Sequence, residues 1–413
     1  MKEINTRHVR RRRRCFAFSR AFRLTAAKMF FHRRSLLILS LAFALAVPQI
    51  SVVRVRAEIV KAETPRHLSL SDPLKIRWHY RTSLTLTLSP ASKGQAVYLP
   101  LAGGALLALN TRTGDLLWRA EMGGEVSSAP AADARGVYVA TAVGQESNNS
   151  VPAGGTLRAL SRESGVTLWV RAIDRPLQGA FAETAEALFA GSADGRVYAF
   201  KKQTGEMLWS RAYLPTGFAS QPVILENTLF IGNENGTLFA IDALTGEVKW
   251  LYRTLGAIRG SIVARDKAIC FGSADGKVYA VELKSGKELW NKRTGAGVQS
   301  LAGGAEGKVL VASLDNFAYL LNLRTGTQIW KRQLAGRITS QPLIYRSGAV
   351  LTALSGNAAV ILNLPNGAQL NAVPLEEDEA TGASPVVIDD LLLITTRRGL
   401  FAYGRAYASD SDG

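Results

Sequence analysis

The sequence predicts an all-β fold: an eight-bladed β-propeller of four-stranded blades, closed by the N-terminal strand completing the last blade. Three observations predict it. Tryptophan occurs at 78, 118, 169, 209, 250, 290 and 330, with successive gaps of 40, 51, 40, 41, 40 and 40 residues, and a fixed period of about 40 marks a repeat architecture. Each period holds short β-rich runs separated by Gly, Asn and Asp, the pattern of consecutive hairpins. The series begins on a Trp-type strand, Lys75-Ile-Arg-Trp-His-Tyr80. It ends on the preceding strand type, Gly399-Leu-Phe-Ala-Tyr403, so the first strand must join the last blade.

Residues 1–57 read as an export leader. They carry fourteen Lys and Arg against one acidic residue, a net of +13, whereas residues 58–413 carry 36 basic and 32 acidic residues, a net of +4. The formal charge of +17 therefore belongs mainly to the leader. A nucleic-acid footprint should lie on the folded domain, so that partner class is set aside. Arg33-Arg34 precede an apolar run over Ser35–Val47, shorter than the roughly 20 residues of a membrane-spanning helix and in keeping with a secretory signal. Val55-Arg56-Ala57 offers a cleavage site before Glu58. A cut near Pro48 and an uncleaved anchor are the alternatives. The chain is accordingly expected in the periplasm or cell envelope, membrane-associated through partners or a retained leader, as a monomeric propeller.

Residues 58–74 are expected to form a linker, 75–404 the propeller and 405–413 a flexible tail. The clearest cassette spans Ser220–Trp250 and divides into strands over Ser220–Leu225, Thr228–Gly232, Thr237–Asp242 and Glu247–Arg253. Glycine supplies the positive φ that tight turns demand. The third strand and its turn recur as Ala108-Leu-Asn-Thr-Arg-Thr-Gly114, Ala159-Leu-Ser-Arg-Glu-Ser-Gly165, Ala199-Phe-Lys-Lys-Gln-Thr-Gly205 and Ala280-Val-Glu-Leu-Lys-Ser-Gly286. A decayed copy places Leu370 where the next tryptophan would fall. The longer gap before Trp169 is a surface insertion over 144–153. One tryptophan per blade at a fixed place is a packing device. Trp78, Trp118, Trp169, Trp209, Trp250, Trp290 and Trp330 are expected to wedge between sheets with each N–H on a backbone partner.

The run Ala240-Ile-Asp-Ala-Leu-Thr-Gly-Glu-Val-Lys-Trp250 resembles the quinoprotein-type (PQQ-like) propeller repeat, and registered copies extend that resemblance over about residues 75–404. The resemblance implies one of two functional groups. One comprises pyrroloquinoline-quinone dehydrogenases. The other comprises non-catalytic exported propellers that act as accessory proteins of the outer-membrane β-barrel assembly machine. Length, blade number and leader favour the second, although no lipid-attachment cysteine follows the apolar run. A dehydrogenase of this family would bring an adjacent cysteine pair, a calcium site and a catalytic Asp. Here Cys15 lies in the leader and Cys270 in an apolar strand.

The residues supply no catalytic set. Only His67 and His79 follow the leader, the first in the linker and the second on the closing strand, and no Cys/His metal spacing occurs. Asp194, Asp242, Asp275 and Asp315 all fall at repeat positions and read as turn or strand-end residues. The acidic run Glu376-Glu-Asp-Glu379 reads as a solvated loop, since four consecutive acids cannot all face one ion. No catalytic residue, metal or cofactor is expected.

Binding is the natural task for a rigid ring with loops at its mouth. The segments leading into the first strands should rim the channel, and Phe218, Arg259, Gln299, Arg337 and Thr339 are the candidate contacts, aromatic residues and arginine being enriched at binding hot spots. The expected function is a non-catalytic exported scaffold for envelope proteins in outer-membrane protein assembly. A quinone-dependent dehydrogenase and a small-ligand or polysaccharide-binding propeller are the alternatives.

Overall fold

A hairpin of short alternating strands has two faces to bury, and only neighbouring sheets can cover both. The computed structural model describes residues 67–405 except 86, 144–153, 214–215, 305 and 376–379. The leader and its cleavage site, most of the tail, the 144–153 insertion and the acidic run 376–379 lie outside the described residues.

All regular structure among the described residues is β. Eight antiparallel sheets form blades over 91–121, 125–173, 177–212, 223–253, 263–293, 298–333 and 343–374, with 386–405 joined by 74–81 as the eighth. The closing strand Leu74–Arg81 pairs with Gly399–Arg405, setting Trp78 opposite Ala402 and His79 opposite Phe401. In the second blade the innermost strand is split into Glu125–Val126 and Ala131–Ala132, both paired with Val137–Ala142.

In the fourth blade the strands are Val223–Leu225, Thr228–Gly232, Thr237–Asp242 and Val248–Arg253. The first starts later than the sequence pattern implies. Gln221 gives its N–H to the Gly260 carbonyl of the next blade at 3.1 Å, and Pro222 has no N–H to give. Along Thr228–Gly232, Leu229 and Ile231 pack towards the third blade and Phe230 towards the fifth. This is period-2 alternation buried on both sides. The hydrophobic core is therefore a ring of seams between blades.

Every indole fastens one blade to the next. The Nε1 donors of Trp78, Trp118, Trp169, Trp209, Trp250, Trp290 and Trp330 reach the carbonyls of Thr111, Arg162, Lys202, Ala243, Leu283, Leu323 and Leu364 at 2.7–3.0 Å. The glycine three residues beyond each acceptor lies flat under the ring. At Gly286, φ is +69° and a Cβ would come within 3.0 Å of the Trp250 indole. Both the conformation and the missing side chain are needed there.

The stretch 67–74, inside the expected linker, is part of the ring. Leu68 and Leu70 are buried with Leu370 and Tyr403 in the seam between the seventh and eighth blades. The Asp72 carbonyl accepts a hydrogen bond from Asn371 Nδ2 at 2.6 Å.

Candidate functional site

The segments that lead into the innermost strands converge on the channel. In each, an apolar residue turns into a seam and the next residue turns to the channel. Phe218, Ile258, Val298 and Ile338 are buried at 0–3% exposure, seated where Gly191, Gly232 and Gly272 leave room for the first three. Ala219, Arg259, Gln299 and Thr339 follow them and line a cavity of about 160 Å3.

Three of the five candidate contacts, Arg259, Gln299 and Thr339, thus meet at one mouth. Phe218 requires correction. It is fully buried, with Tyr213 and Phe239 packed on it at ring-centroid distances of 6.2 and 5.7 Å, and it cannot touch a partner. The sequence placed it one residue out of phase; Ala219 holds the channel position. Arg337 is exposed but does not line the cavity.

Hydrogen bonds tie the channel wall from blade to blade. Ala129 N donates to Gly179 O at 3.0 Å and Ser384 N to Ser89 Oγ at 2.9 Å. Gln341 Nε2 donates to Leu301 O at 3.2 Å, and the Ser261 and Ser300 hydroxyls lie 2.8 Å apart. These links hold the rim rigid. Arg259 is the one charged side chain among the described lining residues. Its Nε lies 2.9 Å from the Glu234 carboxylate, which holds the guanidinium above its ordinary value and fixes its direction.

The cavity residues do not fit a quinone with its calcium. Among the described residues no His, Cys, Asp or Glu lines the cavity, whose volume is below the roughly 300–1,000 Å3 of small-molecule sites. No cluster of metal-capable side chains occurs among the described residues. Cys270 is fully buried, and burial pushes its thiol far above the ordinary range. The repeat aspartates are engaged in turns. Asp275 accepts from Leu255 N at 3.0 Å and Tyr279 Oη at 2.7 Å, and Asp315 accepts from Gly295 N at 2.7 Å. His67 is exposed. His79 stacks on Phe401 at 5.5 Å and accepts a hydrogen bond from Arg81 Nε at 2.9 Å.

Sequence reasoning missed a charge cluster built around a buried lysine. Lys202 stands where other blades place Ala243, Leu283, Leu323 or Leu364, yet its side chain is 3% exposed and its Nζ lies 3.0 Å from Asp133 and 2.5 Å from Glu183. Tyr138 donates its hydroxyl to Asp133 at 3.3 Å. A lysine at a position that is apolar in the four following blades was the available signal. The cluster is internally paired and braces the second and third blades.

The family model described as outer membrane protein assembly factor BamB matches residues 66–292 and 274–403. A curated protein of that description from Shewanella oneidensis is 35% identical over 120 residues, so the match spans 28% of this chain and 28% of that relative. The crystal structure of BamB from Moraxella catarrhalis superposes with a TM-score of 0.65 at 16% identity, covering 81% of this chain and 98% of that one. The computationally designed Ika8 protein gives 0.68 at 16% identity, covering 79% and 98%. Quinohemoprotein alcohol dehydrogenase from Comamonas testosteroni gives 0.66 at 13% identity, covering 83% and 79%. At such identities these structures share the fold alone, and a fold hosts many functions.

Proposed function

This chain belongs to the outer membrane protein assembly factor BamB family, and from that premise we propose that it is an exported, non-catalytic scaffold that holds envelope proteins together during β-barrel assembly in the outer membrane. Residues 1–57 serve as its export leader and the ring acts in the periplasm. The partner surface is the channel rim carrying Arg259, Gln299 and Thr339, with Arg337 beside it.

The observation that carries this reading is the rim itself. Backbone and side-chain hydrogen bonds link it from blade to blade, and Arg259 is pre-aimed by Glu234. A preorganised rim loses little freedom on binding, and arginine is enriched among the hot-spot residues of protein interfaces. Among the described lining residues no His, Cys, Lys, Asp or Glu stands beside the serine and threonine hydroxyls to activate them.

Affinity purification of the tagged chain from solubilised envelopes tests the proposal. Components of the β-barrel assembly machine should co-purify, and Arg259→Ala should reduce their yield. Their absence under conditions that preserve the machine would overturn it. Quinone- and calcium-dependent dye reduction with alcohols or sugars would instead establish a dehydrogenase.

A further inference from the structure

A cavity of about 360 Å3 lies between the second and third blades, within the roughly 300–1,000 Å3 of small-ligand sites. Two residues leave it room. Lys202 turns its ammonium to Asp133 and Glu183, where the following seams carry the buried side chains of Ala243, Leu283, Leu323 and Leu364. Gly136 has no side chain where the first, third and fifth blades carry Ala96, Ala187 and Ala268. The cavity opens at the strand ends away from the channel rim. Lys202 and Gln203 belong to the turn after Arg196–Lys201, and the outer strand Met207–Ala212 runs from that turn towards the rim segment at 217–220.

One wall is aromatic and apolar. Trp169 is half-buried, the Tyr138 ring centroid is 6.2 Å from it, and Leu168 beside them is 55% exposed. The other wall is polar and balanced in charge. Arg135 makes three hydrogen bonds, two to the Glu186 carboxylate and one to the Ala185 carbonyl, of the five that a guanidinium can give. Lys202 meets two carboxylates with the three donors of an ammonium. The exposed Gln203 amide makes no hydrogen bond among the described residues.

This pairing selects the ligand class. An anion at the polar wall would meet the carboxylates of Asp133, Glu183 and Glu186, and a cation would meet Arg135 and Lys202. An apolar side chain seated here would strand the remaining donors, which is costly once water is excluded. We propose that the cavity binds a neutral saccharide of one or two pyranose rings. The C–H face of the sugar lies against Trp169 and Leu168, and its hydroxyls pair with Gln203, Arg135 and Lys202. The site is separate from the channel rim and does not depend on the partner assigned there.

Ligand-observed saturation-transfer NMR and tryptophan emission, both with the full chain, test this. The neutral probes are cellobiose and diacetylchitobiose; the charged ones are chitobiose, a cation, and digalacturonate, an anion. At least one neutral disaccharide should bind saturably and more tightly than either charged one. Arg135→Ala with Gln203→Ala should weaken it about tenfold, as expected for two lost hydrogen bonds. Arg253→Ala with Gln328→Ala, at exposed positions on other blades, should leave it unchanged. Trp169→Phe should remove the emission change while the NMR signal persists. The proposal falls if neither neutral disaccharide binds, if a charged probe binds as tightly, or if the two double variants behave alike. An emission change that survives Trp169→Phe also overturns it, as does loss of binding in Arg259→Ala, which would move the sugar to the channel.

Discussion

The indole of Trp78 donates to the carbonyl of Thr111 at 2.9 Å, so a strand paired into the eighth blade is also fastened to the first. The closing strand is thus held by its pairing with 399–405 on one side and by this indole on the other. Its ring also covers Gly114, where φ is +76°.

Trp78→Ala is expected to cost about 3–5 kcal/mol, the ordinary range for emptying a buried aromatic site. Trp250→Ala should fall in the same range. Leu255→Ser, at a position 92% exposed, should stay within about 0.5 kcal/mol. Denaturant titration of the three variants checks the ordering. Equal effects would deny the indoles their fastening role.

Gly246→Ala tests the turn beneath an indole. The residue has φ +72°, and a Cβ there would come within 3.0 Å of the Trp209 ring. Backbone strain alone costs about 1–3 kcal/mol, and the displaced indole adds to it. A midpoint shift smaller than that of an exposed Gly→Ala change would contradict this geometry.

Phe218 and Arg259 should separate stability from binding. Phe218→Ala is expected to lose about 3–5 kcal/mol of stability. Arg259→Ala, which removes an exposed ion pair with Glu234, should change stability by less than about 1 kcal/mol while lowering recovery of envelope partners. Thermal unfolding and co-purification on the same variants read the two effects independently.

The Asp133–Lys202 pair predicts a pH dependence. Burial would raise the Asp133 carboxyl, but the hydrogen bonds from Lys202 and from the backbone N–H groups of Arg135 and Gly136 outweigh it and hold its value below the ordinary one. The folded value is depressed, so its contribution is complete above the unfolded value of about 3.9. It is lost as pH falls through the folded value. Wild type should therefore lose stability below about pH 4 more steeply than Asp133→Asn. Parallel acid profiles would show that the pair contributes nothing.

Cys270 should stay inert in the folded ring. It is 0% exposed and burial raises its thiol, so little of the reactive thiolate forms. In a Cys15→Ser background, a thiol reagent should label the chain only after denaturant is added. Labelling of the native protein at the rate of a free thiol would mean that this strand opens.

The repeat was legible because it is written locally. The turn Asp242-Ala-Leu-Thr-Gly246 and the tryptophan four residues later are defined within one cassette, and counting strand types required 75–80 to join 399–403, where the structure pairs 74–81 with 399–405. By itself the sequence determined the blades, their number and the closure, because turn chemistry and period-2 alternation act over a few residues of one chain. Only the tertiary structure decided that Ala219 rather than Phe218 faces the channel, that Lys202 is buried between Asp133 and Glu183, and that a cavity stays open beside Trp169. Each of these is a property of two blades in contact, and which side of a short lead-in segment is covered depends on the neighbour that covers it.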